Sequence, residues 1–190
     1  MSYSPQAAIT ALESKFKVLK KTEFRGETSL AFAPEEIFAV CKFCRDELGF
    51  SYLLDLSGMD HMGEDPRFEV VYELYQMEKG EWLRIRTRVS EDNPEVDSVS
   101  GIWATADWHE REAYDMFGIR FRNHPDLRRI LMWDGYPYYP LRKEFPLSGK
   151  DSLVPEVAFT APAPLEGGPF VTVPTTATTK DREPRSRSKV

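Results

Sequence analysis

The sequence predicts an α+β domain with a mostly antiparallel or mixed sheet, a few packing helices and an extended C-terminal arm. Three observations lead there. Residues 67–77 and 81–89 alternate apolar and polar with period two across a short Glu-Lys-Gly turn, the pattern of a β-hairpin. Within residues 34–48, Ile37, Cys41, Cys44 and Leu48 recur at helical spacing and form one stripe of an amphipathic helix. From Trp133 to Pro146 the prolines 137, 140 and 146 are too dense for a regular helix or a central strand.

Composition bounds the rest. With 190 residues, 41% of them hydrophobic and 13% aromatic, there is apolar material for one core of ordinary size. Residues 1–149 are therefore expected as a single domain and 150–190 as an appended tail. The net charge of −6 excludes general nucleic-acid binding, which needs a basic field to displace counterions from phosphates. No apolar run approaches the roughly 20 residues of a membrane-spanning helix. The opening Met-Ser-Tyr-Ser-Pro-Gln lacks the basic and apolar regions of a signal peptide. A cytoplasmic chain is expected, one that can still dock on a membrane protein.

The elements follow in order. Ser4 and Pro5 read as N-cap and first helical residue of a helix with Ile9, Leu12 and Phe16 on one side. Strands near 18–24 and 28–33, broken at Gly26, suggest a hairpin. The helix at 34–48 stops at Gly49, a good C′ residue, and residues 50–56 read as a strand. On the next helix-free stretch, Asp60, His61, Glu64 and Asp65 form a polar turn. Backbone preference explains Asp and Gly there, and the alternative is a hard-metal or acid/base site. In the hairpin, Phe68, Val70, Tyr72 and Leu74 point one way, as do Leu83, Ile85, Thr87 and Val89. The opposite face carries Glu69 and Glu73 against Arg84, Arg86 and Arg88, read as cross-strand pairing, with a partner contact as the alternative.

Cys41 and Cys44 form a C-x-x-C that invites a redox or metal reading. Both fall on the buried stripe and in mid-helix, whereas redox pairs are activated at helix N-termini and structural zinc takes four ligands. Small core residues are the simpler expectation.

Residues 103–147 mix both charge signs, aromatics and prolines in one run. Asp107 with Glu110 has capping-box spacing, and Gly118 offers a stop, so a helix is expected over 108–117. On it Arg111 can bridge to Asp115 at i+4, and His109 can approach Glu112 at i+3. An interface or fold-locking ion network is the first reading. The alternative is an acid/base or metal set of His109, Glu112 and Asp115, for which the sequence shows no completing H-E-x-x-H. Residues 119–121 suggest a short strand, residues 124–131 a turn and one helical turn, and 133–146 an extended arm carrying Tyr136, Tyr138 and Tyr139.

Three ordered blocks carry a resemblance: Glu110-Arg-Glu-x-x-Asp-Met-Phe-Gly-Ile-x-Phe121, His124-Pro-Asp-Leu-x-Arg-Ile-Leu131 and Pro140-Leu-Arg-Lys-Glu-Phe-Pro-Leu147. Together they are similar to the signature of the 30 kDa, or C, subunit of NADH-quinone oxidoreductase, respiratory complex I. The Trp103-x-x-Ala-x-Trp108 lead-in and the hairpin agree, so the likeness covers roughly residues 10–150. Where the family has a Glu/Asp-Gly-x-Pro approach and then Leu-Arg-Lys-Asp, this chain reads Tyr136-Pro-Tyr-Tyr-Pro-Leu-Arg-Lys-Glu144. The carboxylate is kept as Glu and the approach is rebuilt.

The resemblance implies a non-catalytic subunit of the peripheral arm with no cofactor of its own. The flavin (FMN), the iron–sulfur clusters and proton translocation would belong to partner subunits. Its implied neighbours are the quinone-site (49 kDa-type, D) subunit and the terminal-cluster (B) subunit, at the cytoplasmic face of the bacterial inner membrane. The expected interface or fold-locking residues are Glu110, Arg111, Glu112, Asp115, His124, Asp126, Arg129, Arg142, Lys143 and Glu144. Two other readings stay open: the equivalent module of a membrane-bound hydrogenase, and a stand-alone enzyme using His109, Glu112 and Asp115. Residues 150–190 combine six prolines with a Thr-rich stretch and a basic end. They hold too little apolar matter for a core, and read as a disordered tail or as an arm that orders along a partner.

Overall fold

The computed structural model describes residues 5–147 and 149. The chain separates after Arg142 into two units, and the helices and strands of the described residues all lie in the first. Ser4 and the tail from 150 to 190, on which two of the expectations fall, lie outside the described residues.

The element order is α1 (Gln6–Lys15), β1 (Lys20–Phe24), β2 (Glu27–Phe32), α2 (Ile37–Asp46), β3 (Tyr52–Asp60), β4 (Phe68–Gln76), β5 (Glu81–Val89), β6 (Glu95–Asp97), α3 (Ala106–Phe117) and β7 (Arg120–Arg122). Five strands form one sheet in the order β1-β2-β5-β4-β3, and β6 with β7 forms a second, two-stranded sheet. The β2–β5 pairing is parallel and the other pairings of the large sheet are antiparallel. The mixed sheet and α+β class are those the sequence indicates.

The central hairpin explains why this sheet forms. Its inward set, Phe68, Val70, Tyr72, Leu74, Leu83, Ile85, Thr87 and Val89, is buried throughout, and burying each large apolar side chain stabilises by about 1.5–3 kcal/mol. Ile9 and Leu12 of α1 and Ile37, Val40, Cys41 and Cys44 of α2 join the same core. The register sets Glu69 opposite Arg88 and Glu73 opposite Arg84. On the outer face Glu69 is paired with Arg86 and Glu73 with Arg84, so the arginine ladder makes cross-strand pairs.

Several bounds shift. The first helix starts at Gln6, with Pro5 at its N-cap. The second starts at Ile37, because residues 34–36 form a turn before it. The first hairpin turns through Arg25 at φ 51° and Gly26 at φ 83°, a pair of left-handed residues that matches the strand twist. The third strand runs past residue 56 to Asp60, with a bulge between Leu53 and Asp55. Asp60 therefore closes a strand and does not sit in the polar turn. Its carboxylate takes two hydrogen bonds from Arg67 at 2.8 Å, and His61 Nε2 lies 2.6 Å from Glu69. Of the carboxylates named for a metal there, Asp60 is held by Arg67 and Glu64 by Arg88. Among the described residues no three His, Cys, Asp or Glu side chains gather as a metal site. The helical turn expected within 124–131 does not form; the segment is turns and bends.

Burial pushes the Cys44 thiol up to about 12, and burial with Cys44 and Glu110 nearby raises Cys41 well above the usual thiol range. Both are free and sit in the core.

Candidate functional site

The third helix is fixed to the sheet at its start and to an irregular arm at its end. Trp103 Nε1 donates to Phe50 O at 3.2 Å and Thr105 Oγ1 to Leu53 O at 3.3 Å, which ties the lead-in to the strand β3 region. The N-cap position is Thr105, with no side-chain cap bond, and Asp107 falls inside the first turn. The expected capping box therefore does not form. Glu110 turns inward instead and accepts hydrogen bonds from Ser98 Oγ at 2.6 Å and Val99 N–H at 2.7 Å. It is fully buried, and burial pushes its carboxyl up to about 7 against the two hydrogen bonds, which favour the charged form.

His124 reaches the same place from the arm with a side chain closed to solvent, its Nε2 3.8 Å from Glu110. Asp126 N–H donates to His124 Nδ1 at 3.0 Å, so the ring proton sits on Nε2, which donates to Asp107 O at 3.1 Å.

Asp115 is the second clamp. Its Oδ2 accepts three consecutive backbone N–H groups, from Ile130 at 3.0 Å, Leu131 at 2.7 Å and Met132 at 2.8 Å. Arg129 Nη1 donates to Oδ1 at 2.5 Å and to Asp115 O at 3.0 Å. Burial raises the carboxyl, but the donations from Met132, Arg129, Leu131 and Ile130 outweigh it and hold Asp115 below the usual carboxylate range. The i+4 bridge from Arg111 to Asp115 is accordingly absent. Arg111 donates instead to the carbonyls of Arg128 and Arg129 at 3.1 Å each and lies 5.3 Å from the ring centre of Trp108.

The end of the helix shows why the arm needs its arginines. The last carbonyls of a helix lack intrahelical partners and carry partial negative charge. Here Asp115 O takes Arg129, Met116 O takes Leu141 N–H at 3.2 Å and Phe117 O takes Arg142 Nε at 2.7 Å. Gly118 caps the helix at φ 79°. A Cβ there would stand 2.7 Å from Arg142 Nη2 and from the Tyr139 ring, so glycine serves both the backbone and the approach of the arm. Arg142 in turn lies 4.4 Å from the Tyr139 centroid and 4.9 Å from that of Phe68.

Of the ten residues singled out from sequence, Glu110, Arg111, Asp115, His124, Asp126, Arg129 and Arg142 meet in this clamp. Glu112 does not join it: it is exposed and makes no hydrogen bond or ion pair among the described residues. Lys143 and Glu144 are exposed and belong to the second unit. His109 does not approach Glu112; its Nδ1 lies 3.4 Å from Asp55. The triad of His109, Glu112 and Asp115 is thus dispersed over three surroundings. Ser98 and Val99, which hold Glu110, directly follow the three-residue strand β6 that pairs in parallel with β7; they are not legible as its partners, because so short a strand shows no periodicity.

A mixed five-stranded sheet whose last helix holds an irregular arm through a buried carboxylate defines a small α+β domain. The chain is a member of the family described as "Respiratory-chain NADH dehydrogenase, 30 Kd subunit", which matches residues 30–151. It is 47% identical over 146 residues to the NADH-quinone oxidoreductase C subunit of Geotalea uraniireducens, covering 76% of this chain and 89% of that one. It is 52% identical over 134 residues to the C 2 subunit of the same enzyme in Rhizobium meliloti, covering 68% and 72%. Among solved structures it resembles a trypsin-resistant fragment of Nqo5 with TM-score 0.56 and 28% identity, over 64% of this chain and 97% of that one. A chain of an archaeal membrane-bound sulfane sulfur reductase shares the fold, with TM-score 0.64 at 21% identity over 75% and 85%.

Proposed function

We propose that this chain is a non-catalytic peripheral-arm subunit of NADH-quinone oxidoreductase, attached to the cytoplasmic face of the inner membrane through its neighbours. It supports electron transfer from NADH through FMN and iron–sulfur clusters to quinone, coupled to proton translocation, with every redox group held by other subunits. Its neighbours are the quinone-site (D) subunit and the terminal-cluster (B) subunit. Residues 1–149 act as the docking domain.

The observation that carries this reading is where the charges of α3 go. Arg111 and Asp115 are committed to backbone groups that hold the arm in place, and Glu110 to Ser98 and Val99 ahead of the helix, the chemistry of a rigid docking surface. A general acid or base would need an open path to substrate, and Glu110 and Asp115 have none. Family membership supports the same reading.

The test is affinity capture of the tagged native chain followed by identification of the chains retained with it. Recovery with the D and B subunits is expected. Recovery as a free, active monomer with bound metal would overturn it. Capture of hydrogenase subunits would favour the equivalent module of a membrane-bound hydrogenase.

A further inference from the structure

Between α3, β3 and the returning arm lies a cleft of about 110 Å³. Leu56, Met116, Phe117 and Leu141 form the apolar part of its lining, and Glu112 stands at its edge. We propose that this cleft receives one long cationic side chain, a lysine or an arginine, from a neighbouring subunit; this rests on the subunit reading above and specifies one contact within it.

Three features of the cleft fit that occupant. The volume is roughly that of four waters, which suits a single linear stem. Leu141 is 52% exposed at the rim, so the apolar lining continues to solvent, where lysine and arginine stems are readily buried while the head group stays polar. The charge at the mouth is negative. Glu112 is the carboxylate of α3 that no group within the described residues satisfies, whereas Glu110 and Asp115 are saturated. Nearby cations are engaged: Arg111 on the arm carbonyls, Arg142 on Phe117 O and His109 beside Asp55. Trp108, one helical turn before Glu112 and 62% exposed, extends the same helix face as an aromatic rim.

The test uses the full-length tagged chain in the cell that makes it, with capture of the assembled complex over a series of salt concentrations. Wild-type capture should fall as salt rises. E112Q should capture severalfold less at low salt and change little with added salt, E112K less again, and L141A less at every salt concentration. The melting temperature of the isolated chain should stay at the wild-type value for E112Q; where E112K lowers it, E112Q carries the comparison. A photo-crosslinking residue at Leu141, with Glu112 intact, should join a peptide of another subunit that contains lysine or arginine. Wild-type capture by both Glu112 variants would overturn the proposal, as would crosslinks confined to a second copy of this chain or to a segment without a basic residue. A tag that retains no neighbouring subunit even for the wild type would instead overturn the subunit reading itself.

Discussion

Replacing Asp115 by Asn should loosen the arm more than any other single isosteric change in α3. The carboxylate gathers the N–H groups of Ile130, Leu131 and Met132 on one oxygen and Arg129 on the other. Asn keeps one acceptor and loses the charge, so either the three amides or Arg129 must face an amide NH2. Breaking a buried pair by neutralising one partner costs about 3–5 kcal/mol, and D115N belongs at the lower end because the acceptor oxygen remains. D115A leaves three amides without an acceptor, each at about 1–3 kcal/mol, and should cost about 5 kcal/mol or more, a large share of the roughly 5–15 kcal/mol that holds a domain folded. Urea denaturation of the full chain, read with hydrogen exchange at residues 130–132, measures both the global and the local loss. The pH dependence adds a signature. Because the folded pKa lies below the unfolded value of 3.8, the stabilisation is present above that value and is lost as pH falls through the folded one, where wild type and D115N converge. A cost below about 1 kcal/mol with unchanged exchange at 130–132 would refute the clamp.

Four further outcomes are expected. Glu110 is raised from 4.5 to about 7, so its contribution to stability is fully present below 4.5 and is lost as pH rises through 7, by up to about 3 kcal/mol; E110Q should flatten that part of the stability profile, and an unchanged slope between pH 4.5 and 8 would contradict the assignment. Gly118→Ala must adopt φ 79° and displace Arg142 or Tyr139, at a cost of about 2 kcal/mol or more, visible as a lower melting temperature. Glu69→Ala leaves Arg86 and Arg88 facing each other without the carboxylate between them and should cost about 2–3 kcal/mol, measured by denaturation, partly recovered when Arg88 is also replaced. Cys41 and Cys44, buried and with raised pKa, should resist a thiol reagent at pH 8 in the folded chain and react at the rate of unfolding; prompt labelling would place them outside the core.

The hairpin was legible because its signal is local. Period-two alternation over nine residues in each strand, with opposite charges falling in register, can be read without knowing what covers either face. The stripe of α2 was legible for the same reason. The parallel β2–β5 pairing was not, since the partners are more than 50 residues apart and neither sequence encodes the other. The clamp was legible in its residues and not in its pairs. Helical spacing makes Arg111 and Asp115 neighbours, yet each finds a better partner in the arm, where backbone groups left bare by irregular structure supply what another side chain would.

That exchange explains why an irregular arm and an acidic helix occur together. An arm with prolines at 125, 137 and 140 cannot pair its amides in a ladder, and buried backbone groups must still be satisfied. Asp115 takes three of those amides and Arg111 takes two of the carbonyls. The helix end has the converse shortage, and Arg129, Leu141 and Arg142 supply its donors. Each segment completes the hydrogen bonding of the other, so the arm is held in one shape without regular structure. A fixed irregular surface of this kind can present Leu131 and Leu141, both exposed, at set positions to a neighbour. Weakening Asp115 should therefore reduce assembly through loss of the arm's shape, whereas changing Glu112 should reduce it with the arm intact. Hydrogen exchange at residues 130–132, low in E112Q and raised in D115N, separates the two causes.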